Sequence, residues 1–489
     1  MHQTIHLTSE SREERKGRPK ALKASVCNLF VTISHAVQRL KCLLLPAQSC
    51  LLLLCLLLPL TARAANPILP GLGMTDPYAR VYNGRVYLYC THDYSPKNTN
   101  FRMEDWREWS STDLIHWKDE STLLPQQTFI GKPFSDCWAT AAGTKNGLYH
   151  WYFSAGTDQI GVVTGSSPSG PWHDPLGKPL IPKGLTPVSE RDPGILMDDN
   201  GVDYINFGTF GYYIARLGKD MISLAEPPRK IQIDFESGPF GDGRTDDKSC
   251  LSKHNGHYYL SWGCYYAMAA SPYGPYTYKG SIVVPQNTDP KFRTTDLTTD
   301  RHGNFFQLHN QTYFTCNDHS QPGTSGVYRD SVISYVHYRD NGEIAPIHIT
   351  DIGVGQYDAA RGPIEAEDYF SLDKGYTHEC PAGGFEVRGL VNGSMLAYPN
   401  VSHVPAHGNL ILHLSAGSSG KCKIEVHSGK VPGALLGSHV IPPTGGWERY
   451  TDIVVPLKNT ASALSLCFVV RGSKGELVRL DSWRLVAAT

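Results

Sequence analysis

The chain has 489 residues, with 45 Lys and Arg against 46 Asp and Glu and a formal net charge of −1. That length exceeds one ordinary core and implies two domains, while the neutral balance argues against nucleic acid as a partner. Its 47 Gly, 26 Tyr and 9 Trp, with few long helical-period segments, point to a β-protein of many tight turns.

Residues 1–65 read as a leader outside the fold. The stretch "LKASVCNLFVTISHAVQRLK" is mildly basic, and a Leu-rich run follows, with the small-x-small pattern Ala62-Arg63-Ala64 behind it. This predicts a signal peptide and a secreted, extracellular protein. The alternative is an uncleaved anchor, because the run approaches spanning length. Pro46, Gln48 and Pro59 interrupt it, so a membrane is a partner only if the leader stays uncleaved. Sequons at Asn310, Asn392 and Asn400 fit export. Cys27, Cys42, Cys50 and Cys55 lie in the leader. The other eight cysteines show no CxxC and no metal spacing, and their spacing specifies no pairing.

Past the leader a phrase repeats. "NGRVYLYCTHD" at Asn83 returns loosely as "NGLYHWYFSAG" at Asn146, "NGVDYINFGTF" at Asn200, "NGHYYLSWGCY" at Asn255 and "NQTYFTCNDHS" at Asn310. The intervals are 63, 54, 55 and 55 residues. Each copy reads as a hairpin with an Asn-led turn and an aromatic second strand. Five sheet units at this spacing predict a five-bladed β-propeller over 66–358. A β-sandwich with coincidental turns is the alternative.

In a propeller the first strand of each blade lines the axis. Eight residues before four of the turn asparagines stand Trp138, Asp192, Asp247 and His302, and seven before the first stands Asp76. Singly, each Asp suits a turn and the His suits a core. Together, three carboxylates facing one axis repel one another and raise at least one pKa. One ionised and one protonated carboxylate is what acid–base catalysis needs, and Trp138 offers a stacking wall for a sugar.

On these motifs the chain resembles glycoside hydrolase family 43. The matching pieces are "TDPYARVYNGRVYLY", "SSTDLIHW", "DCWATAAGTKNGLYHWYFS", "SSPSGPW", "RDPGILMDDNG", "KHNGHYYLSW", "SPYGPYTYKG" and "HGNFFQLHNQTYF", in the family's order. The resemblance implies a five-bladed propeller that hydrolyses α-L-arabinofuranosides or β-D-xylosides with inversion. It implies Asp76 as general base and Asp192 as the carboxylate that tunes the acid. Trp138 would lie beside the sugar, and His302 beside an ion or a water. The family's general acid is a Glu, and the aligned residue here is Asp247, one methylene shorter and ~1.5 Å short in reach. Asp246, Glu236 and His302 are the other candidates for that role. The Arg191-Asp192-Pro193 triplet is also found in fructan-cleaving propellers, but their first-blade motif is absent.

The C-terminal part, 363–489, resembles carbohydrate-binding module family 6 through "IEAEDYFSLDKG", "PTGGWERY" and "LDSWRLV". That implies a jelly-roll β-sandwich, consistent with the alternating "NLILHLS" and "KCKIEVHSG". It also implies a structural Ca²⁺ on Glu365, Glu367 and Asp481, hard oxygen ligands of the type calcium takes. Trp447 is the aromatic left for a sugar cleft. Gly389 and Arg479 stand where the family has its second aromatic and an Asn, so two-sided stacking is expected to be lost.

The expectation is therefore an all-β, monomeric, secreted inverting glycosidase acting on arabinofuranosyl or xylosyl linkages of a polysaccharide or oligosaccharide, with no catalytic cofactor. The alternatives are a weak or inactive glycan-binding propeller and a hydrolase of galactose-type sugars.

Overall fold

The computed structural model describes residues 66–235, 245–283, 301–319, 326–381, 383–417, 421–429, 433–458 and 461–488. The leader and Glu236 lie outside the described residues. Among the described residues no helix is long and apolar enough to cross a membrane.

Five sheets follow one another between Met74 and Tyr335, each starting with one of the strands Met74–Tyr82, Cys137–Lys145, Gly194–Met197, Cys250–His254 and Gly303–Leu308. From each first strand outward, successive strands pair antiparallel in chain order, and in the fourth sheet Ile233–Asp234 adds a parallel strand at the outer edge, beside Tyr276–Ser281. The five first strands contact one another in a closed circuit. Met74–Tyr82 touches Cys137–Lys145 on one side and Gly303–Leu308 on the other, and the remaining contacts run round in sequence. That circuit is the axis of a five-bladed propeller.

The turn chemistry produces the blades. Asn83 and Gly84 (φ 52° and 73°), Asn146 and Gly147 (53° and 78°) and Asn255 and Gly256 (45° and 82°) have both central residues left-handed. This is the twist-matched two-residue hairpin. In the fifth copy His309 and Asn310 take those places. The third copy departs: Met197 pairs with Asp203 across a longer turn, in which Gly201 N donates to Asp198 O.

Aromatic side chains of the second and third strands fill the spaces between blades. Trp106 and Phe153 meet at 4.6 Å between centroids, and Tyr89 and Trp151 at 5.1 Å, all fully buried. The segment before blade 1 seals the ring. Asn66 donates to Ile333 O at 2.8 Å and accepts Ile333 N at 2.9 Å, while Ile68 N donates to Ser331 O, so the outer edge of blade 5 is paired.

Two further sheets pack face to face around Tyr398, Leu412, Val426, Phe468 and Trp483. They form the predicted sandwich. The last two residues of the span 66–358 expected for the propeller lie against the sandwich expected from 363. Tyr357–Asp358 pairs in parallel with Met395–Ser402, and the Tyr357 ring packs on Tyr398 and Trp483. An aromatic side chain follows the core that buries it.

The blade 5 hairpin tip is bonded into the sandwich. Asn310 Nδ2 donates to Leu372 O (2.9 Å), Gln311 Nε2 to Glu367 O (2.6 Å), and Tyr369 OH to Asn310 O (2.8 Å). The Asn400 amide likewise donates to Gly355 O. Cys90, Cys137, Cys250, Cys316, Cys380, Cys422 and Cys467 are buried thiols outside any disulfide.

Candidate active site

At one end of the axis a cavity of about 240 Å³ is lined by Asp76, Asp192, Asp247, Trp138 and His302, with Phe101, Met103, Ala139, Arg191 and Arg329 completing the wall. All five axial residues predicted from the repeat therefore meet. The volume lies below the range common for drug-sized ligands and suits a single sugar ring.

Asp76 interrupts its strand at a bulge, with φ 49°. This turns its side chain onto the axis, where it is 4% exposed. Its Oδ2 accepts Thr91 Oγ1 at 2.5 Å, and its Oδ1 accepts Asn317 Nδ2 at 3.0 Å and Arg329 Nη1 at 3.2 Å. His302 Nε2 stands 3.4 Å from the same Oδ1. So many donors suit an ionised acceptor.

Asp192 also has a left-handed backbone, φ 60°. Burial pushes its carboxyl up, against the opposing pull of Arg191, whose Nε is 3.4 Å from Oδ2.

Asp247 is the open one. Its side chain is 36% exposed, and Oδ2 lies 3.7 Å from Arg191 Nη2. Asp246 turns away: its backbone is held by the Tyr212 hydroxyl and its carboxyl packs on Gly263, outside the cavity lining.

Two guanidinium–aromatic pairs flank the opening. Arg191 lies 5.0 Å over the Trp138 ring and Arg329 4.8 Å over Phe101, while Arg329 also grips buried Asp93. Sequence reasoning missed Arg191, Arg329, Phe101, Thr91 and Asn317 as site residues. Arg191 had a signal in its adjacency to Asp192. Asn317 comes from the second strand of blade 5 and Arg329 from the loop before its third strand, which the first-strand count cannot reach.

The count also hid Lys248. Seven residues before their turn asparagines, Asp76 and Lys248 hold equivalent backbone places, both left-handed (φ 49° and 36°). Lys248 is 1% exposed, and its Nζ donates to Asp76 O at 2.7 Å.

In the sandwich, Glu365 pairs with Ser482, beside Asp481, and Ala366 N donates to Asp481 O. Burial, then Asp368 and Asp481, pushes Glu365 up to about 7. Glu367 is raised by burial first, then by Asp368, and its buried Oε2 has no hydrogen-bond partner. Among the described residues no three His, Cys, Asp or Glu side chains are assembled into a ready metal group. The orphaned Glu367 oxygen and the crowded negative charge nevertheless fit a cation. At the sugar cleft, Arg479 covers a face of Trp447 at 4.7 Å. The Tyr376 ring packs over Gly389 and is 52% exposed, so an aromatic from a neighbouring strand stands where the sequence showed none.

A propeller with carboxylates gathered at its axis, joined to a sandwich, is the architecture of a carbohydrate-cleaving enzyme with an appended module. Residues 64–344 match the model of "Glycosyl hydrolases family 43", and residues 365–487 that of "Carbohydrate binding module (family 6)". The chain belongs to glycosyl hydrolases family 43 and is a glycosidase. It is 28% identical to an arabinoxylan arabinofuranohydrolase of Paenibacillus polymyxa, over 87% of this chain and 75% of that one. It is also 28% identical to a β-D-galactofuranosidase of Aspergillus niger, over 63% of this chain and 96% of that one. The solved arabinoxylan arabinofuranohydrolase of Bacillus subtilis, in complex with cellotetraose, matches with a TM-score of 0.53. That match is 24% identical and covers 87% of this chain and 98% of that one, a likeness of fold.

Proposed function

We propose that the protein is an exported, inverting glycosidase that removes α-L-arabinofuranosyl or β-D-xylosyl residues from plant-type polysaccharides such as arabinoxylan. The observation that carries the reading is the contrast at the axis: Asp76 is locked by donors from blades 1 and 5, and Asp247 opens to the cavity. Asp76 takes a proton from water as the water oxygen attacks the anomeric carbon. The glycosidic C–O bond breaks, and Asp247 gives its proton to the leaving oxygen, with Arg191 beside the carboxylate that results. Asp192 positions Asp247 through Arg191, which lies beside both carboxylates. Trp138 and Phe101 form the walls against which the ring lies.

Chromogenic glycosides and natural polysaccharides, with product anomers followed by NMR, test this directly. Release of the inverted anomer from arabinoxylan supports the reading. Retention of configuration, or no turnover on any pentoside, overturns it. The likeness to the β-D-galactofuranosidase favours one second reading, a galactofuranoside substrate, which the same screen distinguishes.

The apolar leader supports export. Glu365, Glu367 and Asp481 would hold calcium, which supplies countercharge to the sandwich and takes no part in the chemistry.

A further inference from the structure

Lys248 is a residue the acid–base scheme does not use, and its placement is unusual. It follows Asp247 directly, has φ 36°, and is 1% exposed. A left-handed lysine lacks the local hydrogen bonding that eases Asn or Asp into that region, so surrounding contacts must enforce it. Those contacts converge on the site. Its Nζ donates to the main-chain oxygen of Asp76 at 2.7 Å, and its own N–H lies 3.4 Å from Asp192 Oδ2. The Tyr78 ring faces the ammonium at 5.9 Å.

We propose that Lys248 is the positioning residue of the active site, its buried ammonium fixing the Asp76 turn and supplying the countercharge that keeps Asp76 a ready base. The inference rests on the glycosidase reading above, with Asp76 as base. The groups facing the ammonium are Asp76 from blade 1, Asp192 from blade 3, and the thiols Cys90 and Cys250. Arg329 and His302 approach Asp76 from blade 5, and Arg191 approaches Asp192 from blade 3. Burial acts on Lys248 to lower its own affinity for a proton, and the two carboxylates oppose that loss. Neutral Lys248 would leave Asp76 with one cation fewer.

The test compares Lys248→Met, which keeps length without charge, with Lys248→Arg, which keeps charge. For Lys248→Met, kcat should fall by ~10–100-fold with KM little changed, since the base and not the sugar contacts is disturbed. The acid limb of its pH–rate profile should move up by about one unit, as expected when a nearby opposite charge is removed. Lys248→Arg should recover part of the rate and restore the limb. Wild-type kcat and an unmoved acid limb in a folded Lys248→Met would overturn the inference. Failure of both variants to fold would make Lys248 structural and overturn it equally. Asp76→Asn serves as the control. If that variant stays active, the reading of the base fails. If it is dead while Lys248→Met is unaffected, only the role of Lys248 falls.

Discussion

Asn317 clasps Asp76 at both ends: its amide donates to the carboxylate at 3.0 Å, and its oxygen accepts the Asp76 backbone N–H at 2.6 Å. One side chain from blade 5 thereby sets both the turn and the rotamer of the proposed base. Asn317→Ala should lower kcat by on the order of 10²-fold, because a base displaced by an ångström loses alignment with its water. The lost partner should also cost about 1–3 kcal/mol of stability. Steady-state kinetics paired with thermal melts will separate the two effects.

Asp76→Asn should abolish turnover on every substrate. Asp247→Asn should act selectively, reducing hydrolysis of natural polysaccharide severely and that of activated aryl glycosides far less, since a good leaving group needs little protonation. The carboxyls of Asp76 and Asp247 should stand about 6.5–9.5 Å apart in a substrate complex, leaving room for a water. Intact polysaccharide turnover by Asp247→Asn would move the acid to another residue.

The sandwich should respond to pH and calcium together. Glu365 is raised to about 7 in the fold, and Glu367 is raised as well. Above the ordinary carboxylate range the folded state therefore binds more protons than the unfolded chain, and stability falls as pH rises toward neutrality. In chelator, the sandwich melting temperature should drop between pH 5 and 7. Added Ca²⁺ should flatten that slope, because a cation offsets both the burial and the neighbouring negative charge that raise these carboxyls. Calorimetry that shows an identical slope with and without calcium would count against the site.

Of the three sequons, Asn392 should be the one that is glycosylated in a eukaryotic secretory host. The amides of Asn310 and Asn400 are engaged with Leu372 O and Gly355 O, and a glycan on either nitrogen would displace its bond. Peptide mapping by mass spectrometry checks this.

Trp447→Ala in the full chain should leave retention on insoluble xylan unchanged, because Arg479 already occupies a face of the ring. Loss of retention would restore Trp447 as a sugar platform.

Much of this architecture was legible because hairpin turns leave a local mark. An Asn-Gly pair before aromatic alternation forms the left-handed two-residue turn in blades 1, 2 and 4, and the copies at Asn200 and Asn310 keep its spacing with other turns, so five blades could be counted without any tertiary information. The axial residues followed from that count, since first strands share one geometry. The count was one residue ambiguous, and here that mattered: it selected Asp247 and passed over Lys248, the residue whose backbone matches Asp76. Arg329 and Asn317 were invisible for a different reason. They reach the axis from the second strand and the outer loop of blade 5, and only ring closure brings blade 5 beside blade 1. The fate of Tyr376 likewise depends on a neighbouring strand and not on its own sequence context.

The docking of the sandwich on the tip of blade 5 affects how truncation experiments should be interpreted. Blade 5 carries His302, Asn317 and Arg329, and it is also the blade joined to blade 1 to complete the circle. The module thus works as a splint on the seam of the catalytic half. A chain cut at residue 358 would strip that support from Asn310 and Gln311, and loosening would begin at the joint that holds the base. Lower activity in such a fragment would then report a slackened ring, even on a small soluble glycoside that no binding module needs to capture.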